Sequence, residues 1–565
     1  MFFLNFCNKK YIPYFVIFTV SVLTFLIYGE SYQYGYSNYD DDTYLDYLKN
    51  IFKDGVSFSL LPSLMLDFVN ANWHPVTIMS LAFDFVIGNG SPVYFHITNS
   101  VIHVFNALFV YLIFNKVSGN YTASILAAMI FTVHPLNVET VIWVSERKGL
   151  ISTFFALLSI YSYILYKSTS EPKNKYLSIL FFALSLLSKP TTAPVLFVYL
   201  LLDVTVFRRE NAISKILILQ SLKENIVYAV ILTLIIYFSF VAQSDSGALR
   251  DLSTVSIWSR VETSINNMFI YISKIFFPLN LAVYYPHPSK SLSLIALYFS
   301  LIVLWVYLIM RYFHKSKLIV FCLLFFFIQI FPLSGIFQTG SHSIALRYTY
   351  LPAIGLFFIV SAFLTKIKNN FILYVLSIII LLALIFSSIH QTKAWKSHLG
   401  LWEISVQNTE KNYYSAYWYS LLLIQNGEAL KAANYFYDLI GIENTYYAHF
   451  AIPWIAAELI EKKRYNEAKL IIDKAIANNL KSPDIITQLV ILDYFYFNKK
   501  QIAKLNLEKI ITAAPNFLKA HRLYARILMI ENKKNEAINI LKQIKKKYPD
   551  NKKIDDDIDA LLKNN

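Results

Sequence analysis

This chain is poor in charge and in cysteine. Only 15% of its 565 residues are charged, against 56% hydrophobic and 17% aromatic. So little charge cannot clothe a soluble protein of this size, and the balance points to a polytopic membrane protein. The two cysteines, Cys7 and Cys322, exclude a disulfide framework, and neither has the neighbours of a metal site. No small-residue cleavage motif follows the first apolar run. Lys9 and Lys10 before that run therefore read as the start of a retained signal anchor. The net charge of +15 would imply a nucleic-acid partner only if the bases clustered on a soluble face. Many of them fall instead in short loops between apolar segments, where membrane topology accounts for them.

What is abundant is apolar length. Apolar segments run over 11–29, 93–115, 122–144, 150–166, 176–207, 226–242, 292–310, 318–331, 349–365 and 371–389. The stretch 176–207 is too long for one span and is broken at Lys189-Pro190, which gives two helices there. The expected total is about eleven spans, at roughly 20 residues each. The positive-inside rule puts Lys9/Lys10, Lys116, Lys167, Arg208/Arg209, Arg311 and Lys366 on the cytoplasmic side. The other side then receives 31–92, the corner 134–147, 243–291, 332–347 and everything after His390. The apolar stretch 266–277 is expected to lie along the outer interface.

After His390 the hydrophobicity falls and a repeat appears. Ala433, Ala468, Ala503 and Ala537 sit in similar phrases, spaced 35, 35 and 34 residues apart. A period of 34 with a small residue on the second helix is the tetratricopeptide pattern. Stacked repeats of this kind form a groove suited to extended peptide. The end of the chain, from Lys546, reads as a final capping helix. The expected fold class is therefore all-α. A polytopic transmembrane domain (1–389) precedes an α-solenoid of tetratricopeptide repeats (390–565) on the non-cytoplasmic side.

Chemistry-bearing residues concentrate in the outer loops. Asp40, Asp41 and Asp42 follow the first span, where a carboxylate could take a proton from an alcohol beside the bilayer. The plain alternative is a solvated acidic cluster. Adjacent carboxylates at Asp41 and Asp42 would also suit Mg or Mn, although no spacing demands a metal. His96, Asn99, His103 and Asn106 share one face of a span, which serves either interhelical hydrogen bonding or substrate contact. Arg147, Lys148, Lys189 and Arg347 run against the charge rule. Bases in that position suit an anion such as a phosphate, or pairing with the acids.

The phrases "DDTYL", "NWHPVTIMSLAFD", "FHITNSVIHVFNAL", "FTVHPLNVETVIWVSERKGLIS", "LLSKPTTAPVLFVYLLLD", "YISKIFFPLNLAVYYPHP", "FPLSGIFQTG" and "LRYTYLPAIGL" follow in order. With the repeats after them, the chain resembles the TMTC-type membrane glycosyltransferases of the GT-C superfamily over nearly its whole length. That resemblance implies transfer of a sugar, mannose-like, from a polyprenyl-phosphate carrier to Ser/Thr hydroxyls of a protein, outside the cytoplasm. By position the family's acid falls on Asp41 or Asp42, with Asp40 behind them. The family-like bases fall on Arg147, Lys189 and Arg347. Two positions depart from the pattern. Relatives often carry Asp after the Arg-Lys pair and Asp before the Arg-Tyr pair, where this chain has Gly149 and Leu346.

The expected mechanism is a single inverting displacement. Asp41 or Asp42 is the base, Arg147, Lys148, Lys189 and Arg347 bind the donor phosphate, and His74, Glu139, His96 and His103 orient acceptor or sugar. The expected partners are the lipid-linked donor, a polypeptide held by the repeats, and the bilayer. The Lys-, Asn- and Ile-rich composition leans towards a bacterial inner membrane with periplasmic repeats. One rival is an oligosaccharyltransferase or ligase that moves a preassembled glycan or decorates an envelope polysaccharide. The other is a non-enzymatic anchored scaffold.

Overall fold

The computed structural model describes residues 9–37, 39–70, 72–207, 215–245, 256–286, 292–312, 316–336, 343–410, 412–439 and 446–547. The expected capping helix at the C-terminus lies almost wholly outside these residues. Regular structure among them is helical, apart from two isolated β-bridges, Val69–Asn72 and Tyr285–Ile344. The chain divides into two compact units, Met1–Asn408 and Thr409–Asn565.

The first unit is a membrane protein. Four of its helical stretches are long and apolar enough to cross a bilayer: Ile12–Gln33, Pro92–Ser118, Val144–Thr169 and Asn370–Ala394. Two bent pairs, Tyr121–Val133 with Pro135–Ile142 and Ile218–Glu224 with Ile226–Val241, raise the number to six. Shorter apolar helices add Pro75–Gly88, Pro190–Thr205, Ala296–Tyr307, Lys317–Leu333 and Ala353–Leu364. Each apolar segment of the sequence falls on one or more of the helices. The helix Pro75–Gly88 falls in a stretch read from sequence as loop.

Irregular backbone at membrane depth survives only where protein buries it or a polar cavity borders it. The break at His134–Glu146 meets this condition, because every residue in it is buried. Side chains of the helix Pro92–Ser118 bond to backbone carbonyls in the break and in the helices on either side of it. Asn99 Nδ2 donates to Val141 O at 3.0 Å. His103 Nε2 meets Thr132 O at 3.1 Å, and Asn106 Nδ2 donates to Leu150 O at 3.2 Å. Three of the four residues of the polar stripe, Asn99, His103 and Asn106, thus brace the broken span.

The second unit is built of helix pairs: Tyr413–Gln425 with Ala429–Leu439, Tyr446–Glu461 with Tyr465–Ala477, Pro483–Phe495 with Lys500–Ala513, and Leu518–Ile530 with Lys534–Lys547. Ala433, Ala468, Ala503 and Ala537 are buried on the second helix of each pair, where a larger side chain would force the pair apart. The turn inside each pair carries one left-handed residue: Gly427, Lys463, Asn498 and Asn532, with φ between 54° and 82°. The same backbone hook thus recurs with the sequence period.

Candidate active site

The first span ends at Gln33, and a short helix, Asp41–Ile51, comes after it. Asp40 is the residue before this helix, and Asp41 and Asp42 fill its first turn, where the helix dipole favours acids. The three acids then part company. Asp42 is exposed. Asp41 is 1% exposed, and both its oxygens are occupied. Oδ2 accepts from Ser37 N at 2.8 Å and Ser37 Oγ at 3.1 Å. Oδ1 accepts from Ser145 N at 2.8 Å and from Ser145 Oγ. Burial pushes the Asp41 carboxyl up to about 6, although these four donors work against the rise. Asp40 alone of the three lines a cavity of about 270 Å³.

Across that cavity stand three cations. Lys148 Nζ lies 4.0 Å from Asp40 Oδ2 and 3.4 Å from the Tyr44 hydroxyl. Lys189 Nζ donates to Glu146 Oε1. Arg347 donates through NH1 to Glu139 Oε1 at 2.6 Å, and its Nε lies 3.8 Å from Glu146 Oε2. Trp143, Trp73 and Tyr348 complete the wall. The Trp143 ring lies 5.1 Å from the Arg347 guanidinium carbon and 5.7 Å from Lys148 Nζ, so it binds the cations by its π face. Its indole Nε1 is buried without a hydrogen-bond partner.

Arg147, one residue before Lys148, faces away from this cavity. It is fully buried and spends its donors on protein. NH2 pairs with Asp84 at 2.6 Å and donates to Phe95 O at 2.8 Å. NH1 donates to Ser80 Oγ at 3.0 Å, and Nε donates to Asn99 Oδ1. Thr98 Oγ1 holds the other Asp84 oxygen at 2.9 Å. Four of its five N–H donors are spent on protein and the side chain is fully buried, so the geometry makes Arg147 a strut between three helices.

The remaining sequence candidates sort by the same test. Lys148, Lys189 and Arg347 meet at one cavity, and Arg147 does not line it. Glu139 is buried behind Arg347 and orients it. His74 precedes the helix Pro75–Gly88 and is buried against Tyr44, with ring centroids 5.6 Å apart. Burial and the nearby Lys148 and Lys189 push it down to about 3, so it is neutral at ordinary pH. His96 and His103 are deep in the core and do not line the cavity. No group of three His, Cys, Asp or Glu side chains suited to a metal occurs among the described residues. With Asp41 saturated by donors and Asp42 exposed, this pair does not fit a divalent ion. The sequence reading missed Asp84, Ser80, Asn72, Thr191 and the aromatic walls. Only the buried-acid position of Asp84 in an apolar phrase carried any signal.

Fold and site together define a polytopic helical membrane protein with an acid facing clustered bases at one polar cavity. Its curated relatives are TMTC-type protein O-mannosyl-transferases, in keeping with the motif order. The protein O-mannosyl-transferase F38B6.6 of Caenorhabditis elegans is 24% identical over 396 residues, 66% of this chain and 54% of that protein. Tmtc1 of Drosophila melanogaster is 26% identical over 25% of this chain and 17% of its own length. Human TMTC4 is 27% identical over 25% of this chain and 22% of its own. The chain thus spans about half the length of the worm relative and about a fifth of the other two. No family model matches. Among solved structures, an Archaeoglobus fulgidus oligosaccharyltransferase aligns over 76% of this chain and 59% of its own, at 12% identity and a TM-score of 0.40. That is a loose likeness.

Proposed function

We propose that this protein is a membrane glycosyltransferase that moves a single sugar, mannose or a similar hexose, from a polyprenyl phosphate to Ser/Thr hydroxyls of protein. The observation that carries this reading is the cavity with Asp40 opposite Lys148, Lys189 and Arg347. It joins a proton acceptor to an anion cradle within one small, aromatic-walled space. The names of the relatives supply the sugar and the acceptor class.

In the proposed step, Asp40 takes the proton of the acceptor hydroxyl. The hydroxyl oxygen bonds to the anomeric carbon as the bond from that carbon to the phosphate oxygen breaks. The electron pair leaves with the polyprenyl phosphate, whose charge Lys148, Lys189 and Arg347 stabilise. A single in-line displacement inverts the sugar carbon. Trp143 and Trp73 would stack on the hexose. Asp41, locked to Ser37 and Ser145, fixes the loop that carries Asp40. An apolar cavity of about 630 Å³, bounded by Pro194, Phe197, Phe327, Phe331 and Pro332, is the seat we assign to isoprenoid units. The site would face the non-cytoplasmic side, in a bacterial inner membrane, and the helix pairs of the second unit would gather the acceptor polypeptide.

The test is reconstitution of the purified chain with synthetic polyprenyl-phosphate mannose and a Ser/Thr-rich peptide. A mass increase of one hexose, lost in Asp40→Asn, is the expected result. Addition of several sugars at once would favour the glycan-ligase reading, and no addition with any polyprenyl-linked sugar would overturn the proposal.

A further inference from the structure

Of the two acids that line the cavity, Asp40 and Glu146, sequence reasoning gave no role to Glu146. It is 1% exposed and lines both the 270 Å³ cavity and a smaller polar chamber next to it. Its Oε1 accepts from Lys189, while Oε2 accepts no hydrogen bond and lies 3.8 Å from Arg347 Nε. A carboxylate thus sits within the cradle formed by the bases. Its seat depends on a missing side chain. A Cβ on Gly149 would fall 2.4 Å from Glu146 Oε1, closer than real Cβ atoms approach. Gly149 also lines the smaller chamber. Any other residue at 149 would force the carboxylate to shift from this position beside Lys189.

Resting on the donor reading given above, we propose that Glu146 is a built-in counter-ion for the phosphate cradle, admitted by Gly149 and displaced by the phosphate of the lipid carrier. The physical reason is charge balance. Arg347 is already paired with Glu139, whereas Lys189, with 15% of its side chain exposed, pairs with Glu146, and a largely buried cation without an anion destabilises a fold. Glu146 supplies that anion while no donor is bound. A phosphate then has to compete with it for Lys189, which keeps binding modest and lets the product phosphate leave. Glu146 is a positioning residue in this scheme and takes no part in proton transfer.

The test titrates farnesyl phosphate, a short polyprenyl monophosphate, into the full chain in detergent. Glu146→Gln should bind it about tenfold more tightly, because the competing charge is gone. Its melting temperature should be low without the probe and rise more on binding than that of the native protein. In transfer assays the donor KM and kcat should both fall, since release slows. Gly149→Ala keeps every charge and should shift binding the same way. In a Glu146→Ala background, Gly149→Ala should then change nothing. Native binding with Glu146→Gln unchanged or weaker overturns the counter-ion role alone. Failure of the native protein and all variants to bind overturns the donor reading, and this proposal with it.

Discussion

Arg147 and Lys148 are neighbours in the chain and opposites in the fold. Arg147 is wholly buried, and each of its nitrogens meets a protein acceptor. Lys148 keeps 12% of its side chain exposed, and its nearest acid is 4.0 Å away. One cluster, around Asp84, is saturated. The other, around Asp40 and Glu146, leaves Glu146 Oε2 and Trp143 Nε1 without hydrogen-bond partners. A saturated buried network holds helices together and has nothing left to offer a ligand. An unsaturated one next to a cavity carries desolvated groups that a ligand can satisfy. The contrast assigns structure to one cluster and chemistry to the other.

The comparison breaks most readily at the strut. Arg147→Met should strand the Asp84 charge in the core and cost about 3–5 kcal/mol, seen as loss of folded protein in size-exclusion and thermal assays. Arg147→Lys should not restore it, because an ammonium cannot reproduce the planar fork. If either variant folds normally and loses only transfer, the two clusters have been assigned the wrong way round. Next in size is Asp40→Asn, which should lower transfer about 10²–10⁴-fold and leave the melting temperature nearly unchanged. Retained activity in Asp40→Asn together with loss in Asp42→Asn would move the base to the exposed acid. Lys148→Met should weaken donor use by about tenfold with little change in stability, measured as kcat/KM.

The last effect, spread over about two pH units, sharpens the contrast through pH. Asp41 has a folded pKa raised to about 6 by burial. An acid raised in this way binds its proton more tightly in the folded state than in the unfolded one. Stability is therefore greatest below the ordinary carboxylate range and declines as pH rises towards about 6, by on the order of 2–3 kcal/mol in all. Transfer should move oppositely. Protonation removes acceptor capacity for Ser37 and Ser145, so activity should fall as pH drops through about 6. Parallel melting and rate profiles check the two signs, and Asp41→Asn should flatten the melting profile.

Much of the fold was legible because apolar length and a 34–35-residue period are one-dimensional signals. The apolar segments and the alanines of the helix pairs needed no knowledge of contacts. The helix Pro75–Gly88 was harder to see, being 14 residues long with Asp84 inside it. The site was legible as a set of residues out of place, and three of those four bases meet. Which of two adjacent residues faces the cavity was not legible. Successive helical residues point about 100° apart, so Arg147 and Lys148 had to diverge, and sequence alone does not say which way. Asp40 and Asp41 diverge for a related reason: one precedes the helix and the other begins it. Trp143 gave no sign, because one tryptophan among many aromatics looks like core.

The hooks inside the helix pairs have a further consequence. Glycine holds a left-handed backbone without strain and asparagine tolerates it, but Lys463 carries a Cβ that resists it, at about 1 kcal/mol. The second pair is thus closed by the most strained clasp of the four. Fraying along the array should begin there, and an exchange to glycine at that turn should tighten the whole row.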